Sequence, residues 1–175
     1  MNAIKRLHKA NAKILVGPMT SAAVNAIINY TNENDIVLIS QSSTSPALSI
    51  VGDNLFRFVP DDKNQGKYIA KQMWNNGIKI VVPMWRDDIY GNELYKSMKE
   101  NFEKIGGIVT EGIKYKPHIG NFAASLHRIN FIMWNEDLEK LNSIVADAIK
   151  KYGNKSVGVF IISYDEITPI LIQSS

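Results

Sequence analysis

Short β-branched runs separated by amphipathic stretches constrain this chain more than any other feature. Ile14 to Val16, Ile36 to Ser40, Phe56 to Val59, Ile78 to Met84, Val109 to Tyr115 and Val157 to Ser163 read as strands. They start about 20 to 45 residues apart, which leaves room for a helix between most neighbours. From Gly91 to Ile105 the spacing puts Leu94, Met98, Phe102 and Ile105 on one stripe, with Lys96, Lys99, Glu100 and Glu103 opposite. Leu138, Leu141, Val145, Ala148 and Ile149 form a second such stripe. Gly77, Gly106-Gly107 and Gly153 follow predicted helices, where a left-handed residue closes the last turn. Near-continuous apolar runs such as Ile80 to Val82 are those of parallel strands covered on both faces. The expected architecture is α/β, with Rossmann-like parallel sheets and helices on both faces.

Composition narrows the function. At 175 residues, 45% apolar and 21% charged, the chain can bury roughly 70% of its unfolded surface, so a folded globular state is expected. Its longest apolar runs fall well short of the ~20 residues that cross a bilayer. The net charge of +3 is scattered, with no block of Lys or Arg to follow a phosphate backbone, which excludes an evident nucleic-acid role. With no cysteine, disulfides, thiolate nucleophiles and zinc ribbons are all ruled out. The segment Ala3 to Asn11 reads as the second half of a helix, and Ile167 to Ser175 as the start of one that nothing follows. A piece of a larger fold is therefore expected, with open sheet edges and bare apolar faces.

Two strand-to-helix turns are dense in small hydroxyl residues: Gly17-Pro18-Met19-Thr20-Ser21, and Ser40-Gln41-Ser42-Ser43-Thr44-Ser45-Pro46. Both lie at carboxyl ends of predicted parallel strands, the edge where open α/β sheets bind ligands, and a helix amino terminus there can receive an anion such as a carboxylate. The plainer alternative makes Ser21 and Thr44 ordinary N-caps. Neither GxGxxG nor GxxxxGK[ST] occurs, so no nucleotide cofactor is expected.

Other polar clusters read more simply. Asp87-Asp88 and Asp61-Asp62 each stand just before a predicted helix, where carboxylates face the macrodipole, and no third acid completes a metal site. His8, His118 and His127 lack zinc spacing, and G-x-S-x-G is absent. Trp74 and Trp134 read as packing residues, whereas Trp85, at a strand's end, could border a pocket. Ser163-Tyr164-Asp165-Glu166 adds an aromatic residue and two acids on the same side. Neither metal nor catalytic residue is expected.

In order, Ile14 to Ser21, Ile36 to Pro46, Phe56-Arg57 with Asn64-Gln65-Gly66, and Trp85 to Gly91 resemble the type I periplasmic binding proteins. The similarity is to the leucine/isoleucine/valine-binding branch, the solute receptors of ABC transporters. It implies parts of two lobes: residues 1–60 as the later part of the first, and 61–175 as the first part of the second. It also implies an extracytoplasmic protein, periplasmic or attached to the cell surface, that holds an amino acid or similar small polar carboxylate in an interlobe cleft and presents it to a permease. Position by position, Ser21, Ser42, Ser43 and Thr44 match the hydroxyls that hold the ligand's carboxylate and ammonium groups. Tyr90 and Tyr164 match the aromatics that close over it. Ala22 and Ala23 depart from the branch's hydroxyl-rich first turn, which weighs against a standard branched-chain ligand, and the acid that pairs with the ligand amine would lie beyond Ser175. The same fold also serves as the extracellular sensor of signalling receptors, and a small Rossmann-like enzyme is a third reading.

Overall fold

The computed structural model describes residues 2–117 and 135–164. His118, His127, Trp134, Asp165, Glu166 and the helix expected from Ile167 lie outside the described residues. Helix α1 (Asn2–Lys9) leads into β1 (Ile14–Val16), then α2 (Ser21–Asn25), α3 (Ile28–Glu33), β2 (Val37–Ser40) and a 3-10 turn (Pro46–Leu48). After these come β3 (Leu55–Arg57), α4 (Asp62–Asn75), β4 (Ile80–Arg86), α5 (Ile89–Lys104), β5 (Ile108–Val109), β6 (Ile113–Tyr115), α6 (Asn135–Tyr152) and β7 (Val157–Ile162). Every strand pairing is parallel, as the apolar runs predict.

Two sheets result. In the first, β2 lies between β1 and β3. In the second, β4 is central: β7 pairs along one side from Ile80 to Trp85, and β5 and β6 share the other. Alternation along β4 sends Ile80, Val82 and Met84 into a core with Ile113, Tyr115 and the Leu138, Leu141 and Ala148 stripe of α6. Val81 faces the opposite way, into a core with Ala70 of α4 and Met98 and Phe102 of α5. This sheet is covered on both faces, and Leu94, Met98 and Phe102 occupy the buried stripe expected of α5.

The first sheet departs from that expectation. Leu15, Leu38 and Leu55 face a core with Val24 and Leu48, and Ile89 from the start of α5 packs against the same cluster. On the other face, Ile14, Val16 and Phe56 are 64%, 77% and 53% exposed, and Phe58, just beyond β3, is 78% exposed. One face of three paired strands is therefore bare apolar surface.

The strand expected over 109–115 is broken in two. Val81 pairs with Val109 and Met84 with Ile113, so three residues stand opposite two on β4. The Thr110 N–H donates to the Val81 carbonyl at 2.9 Å, and the next donor in a parallel ladder would be the N–H of residue 83. That residue is Pro83, which has none, so the partner strand bulges where the bond is missing. Gly112 then passes so close that a Cβ would stand 2.2 Å from the Pro83 carbonyl oxygen.

Candidate functional site

The two hydroxyl-rich turns lie side by side at the carboxyl ends of β1 and β2 and are bonded to each other. Ser40 Oγ donates to the Pro18 carbonyl at 2.7 Å and Ser42 Oγ to the Met19 carbonyl at 2.9 Å. Ser21 is 1% exposed, and its Oγ accepts from the backbone N–H groups of Thr44 and Ser45, both at 3.2 Å. Neither Ser21 nor Thr44 is an N-cap. Thr20 caps α2, its Oγ1 accepting from the Ala23 N–H at 3.2 Å, and Ser45 precedes the 3-10 turn without a side-chain cap bond. The expected helix amino termini are correspondingly reduced: α2 has five residues and the second turn leads only into Pro46–Leu48. So little aligned backbone carries a weak dipole, which leaves polar side chains as the main recognition groups.

Ser43 and Ser45 are fully buried, and their hydroxyls have no hydrogen-bond partner among the described residues. The Ser42 side chain stands at the surface and that of Thr44 is half-buried. The two expected tyrosines come together from the second sheet. Tyr90, in the first turn of α5, stacks on Tyr164, just after β7, with ring centroids 5.0 Å apart and planes 8° from parallel. The Arg86 guanidinium lies 4.0 Å from the centre of the Tyr164 ring, and its Nε donates to Asp88 Oδ2 at 2.6 Å. Asp88 caps α5, accepting from the Gly91 N–H at 2.9 Å, as expected of an acid at that position. Asp87 instead forms an exposed ion pair with Lys114 at 2.8 Å. Trp85 stacks on Tyr95 at 3.9 Å, and Trp74 meets Phe102 edge-on, which makes both packing residues.

Sequence reasoning set aside the residue that joins the two groups. Asp61 is an ordinary cap of α4, accepting from the Asn64 N–H at 3.2 Å. Asp62 is fully buried, and its backbone N–H donates to the Thr44 carbonyl at 3.0 Å. Among the described residues neither carboxylate oxygen has a partner in full hydrogen-bond geometry, although the Thr44 hydroxyl lies near enough to act on it. Burial pushes its pKa up to about 6; Asp61 and Glu93 add to that rise, while the nearby Thr44 hydroxyl and Arg57 oppose it. Its charge also bears on both tyrosines. Burial raises each phenol above the usual tyrosine range, and Asp62 pushes in the same direction, so both stay protonated at neutral pH. Thr44 thus stands beside a buried carboxylate with spare acceptor capacity, whose charge also reaches Tyr90 and Tyr164. The arrangement suits a small ligand that brings both hydrogen-bonding groups and a positive charge.

Parallel sheets with helices between the strands, and polar residues gathered at the strands' carboxyl ends, define an open α/β fold of the ligand-binding kind. The chain belongs to the receptor family ligand binding region, whose family model matches residues 1–173. An uncharacterized protein of Methanocaldococcus jannaschii is 30% identical over 177 residues, which cover 97% of this chain and 38% of that one. Glutamate receptor 2.5 of Arabidopsis thaliana is 28% identical over 105 residues, 59% of this chain and 11% of the receptor. Among solved structures, an ABC transporter substrate-binding protein from Desulfitobacterium hafniense in complex with Leu superimposes with a TM-score of 0.60 at 23% identity. That match covers 85% of this chain and 38% of the other. The chain therefore spans about two fifths of the M. jannaschii relative and of this solved structure, and the families and structures it matches are those of binding proteins and receptors.

Proposed function

We propose that the chain is the ligand-binding part of an extracytoplasmic solute-binding protein of an ABC transporter, taking an amino acid or a similar small molecule with a carboxylate and an ammonium group. Residues 1–60 contribute to one lobe and 61–175 to the other, with the ligand in the cleft between them. Asp62 carries the reading. A buried carboxylate without a partner is costly, and an ammonium group is the compact cation that would relieve it. Ser21, Ser42, Ser43 and Thr44 form the polar floor; the Ser21, Ser43 and Thr44 hydroxyls give protons to the ligand's carboxylate, while Ser42, whose proton goes to the Met19 carbonyl, braces the turn. Tyr90 and Tyr164 exclude water as the lobes close, and the closed form is what a permease would accept. The mechanism is binding without chemistry.

The test is calorimetry on the full-length gene product with a panel of L-amino acids that includes leucine and glutamate. Binding that tightens as pH rises through about 6, where Asp62 ionises, supports the reading. Asp62→Asn should remove that dependence, and Ser21→Ala combined with Thr44→Ala should weaken binding at least tenfold (~1.4 kcal/mol). Affinity unchanged in both variants would overturn the site assignment. The match to plant glutamate receptors favours a second reading, the extracellular sensor of a signalling receptor. Among the described residues no helix is long and apolar enough to cross a membrane, so a membrane span elsewhere in the full-length product would decide for the sensor.

A further inference from the structure

Arg57 ends β3 and pairs in register with Ser40, the residue from which the second turn departs. Its Nη1 donates to the Ser43 carbonyl at 3.2 Å and to the Ser45 carbonyl at 2.8 Å, while its Nη2 donates to the Ser49 hydroxyl. One planar group thus reaches three acceptors spread over seven residues of irregular backbone. The turn has other supports: the Ser45 carbonyl also takes the Leu48 N–H at 3.2 Å, the Thr44 carbonyl takes the Asp62 N–H at 3.0 Å, and Ser21 holds the Thr44 and Ser45 N–H groups from the first turn. Among the described residues, however, Arg57 alone reaches the Ser43 and Ser45 carbonyls and Ser49 together. A guanidinium offers five donors in a fixed fork, whereas an ammonium is a point charge that cannot span those directions together.

We propose that Arg57 is a positioning residue that clamps the Ser43–Ser45 turn from the β3 side, fixing the backbone on which the ligand's polar groups would dock. It rests on the reading of that turn as a ligand site, although the clamp itself can be observed without ligand. The same guanidinium places a positive charge near Asp62, against the negative charges of Asp61 and Glu93, while the Tyr90 and Tyr164 phenols, which the Asp62 charge also pushes upward, remain neutral. Arg57 therefore has a geometric effect on the turn and an electrostatic effect on Asp62, and substitution separates the two. Arg57→Lys keeps the charge and loses the fork. Arg57→Gln loses the charge and keeps at most part of the hydrogen bonding.

The experiment is amide hydrogen exchange on the unliganded full-length gene product, comparing Thr44, Ser45 and Leu48 with amides inside α4 as the measure of global stability, together with an NMR titration of the Asp62 carboxyl carbon. Both Arg57 variants should speed exchange in the turn at least tenfold relative to α4. Arg57→Gln should also raise the Asp62 midpoint, and Arg57→Lys should leave it in place. Exchange that rises equally in the turn and α4, or an Arg57→Lys turn as protected as the wild type, would overturn the clamp. If neither variant folds, Ser49→Ala carries the test, because it removes one of the three contacts. Two- to threefold faster exchange at Thr44 and Ser45 then supports the proposal, and none refutes it. A full-length wild type that binds no amino acid would refute the ligand reading instead, through a different measurement.

Discussion

The buried carboxylate of Asp62 makes the stability of the unliganded chain depend on pH in a direction opposite to that of most acids. Its pKa is raised from 3.8 to about 6, so between those values the folded state keeps a proton that the unfolded state has released. Stability therefore falls as pH rises through that window and levels off above about pH 7, where both states are ionised. Taken in full, the shift costs on the order of 3 kcal/mol at neutral pH, and about 1.4 kcal/mol of that appears between pH 5 and 7.5. With a discount for screening, about 0.5–1.4 kcal/mol is expected over that interval. Asp62→Asn removes the titration. Its amide brings donors that also lack partners, but that cost is independent of pH and moves the whole curve down without tilting it. Urea unfolding of both proteins at about pH 5 and 7.5 isolates the term, because every other titrating group cancels in the double difference. Wild-type and variant stabilities that run parallel between the two pH values, within about 0.3 kcal/mol, would refute the claim that burial raises the Asp62 carboxyl.

Other outcomes follow from packing and exposure. In Gly66→Ala the new Cβ would stand 2.4 Å from Ser97 Oγ and 2.6 Å from the Met98 backbone nitrogen, so α4 and α5 must separate, at a cost of about 1–3 kcal/mol in urea unfolding. Phe102→Ala empties the centre of the α4–α5 core and should cost about 3–5 kcal/mol, enough to unfold a marginal chain as read by circular dichroism. Lys114→Ala removes an ion pair whose members are 45% and 36% exposed and should leave the melting temperature unchanged, because water and salt already screen it.

The elements that depend on local periodicity could be read from the sequence. The strand runs, the α5 stripe and the glycines closing helices are patterns within about twenty residues, and tertiary context reinforced them. The break between β5 and β6 had a visible signal in Pro83, whose missing N–H follows from the residue type alone. Asp62 had none. An acid in the first turn of a helix normally faces water, and this one instead lies against the Ser43–Pro46 turn of the first sheet, its N–H bonded to the Thr44 carbonyl. Ser21 was recognised as important for its residue type, yet whether it caps, bridges or binds depends on a turn 23 residues away. Arg57 stands in the sequence inside an expected strand and in one of the motifs of the resemblance, but its role as a clamp is invisible there, because carbonyl acceptors cannot be seen in side-chain identities.

The bare face of the first sheet also leaves a calorimetric signature. Ile14, Val16, Phe56 and Phe58 are largely hydrated in the native chain, so unfolding exposes less new apolar surface there than in a sheet covered on both sides. Apolar exposure sets both the heat-capacity increment and the denaturant slope. Each should therefore fall below the value usual for 175 residues, and the stability curve should be correspondingly flat with temperature.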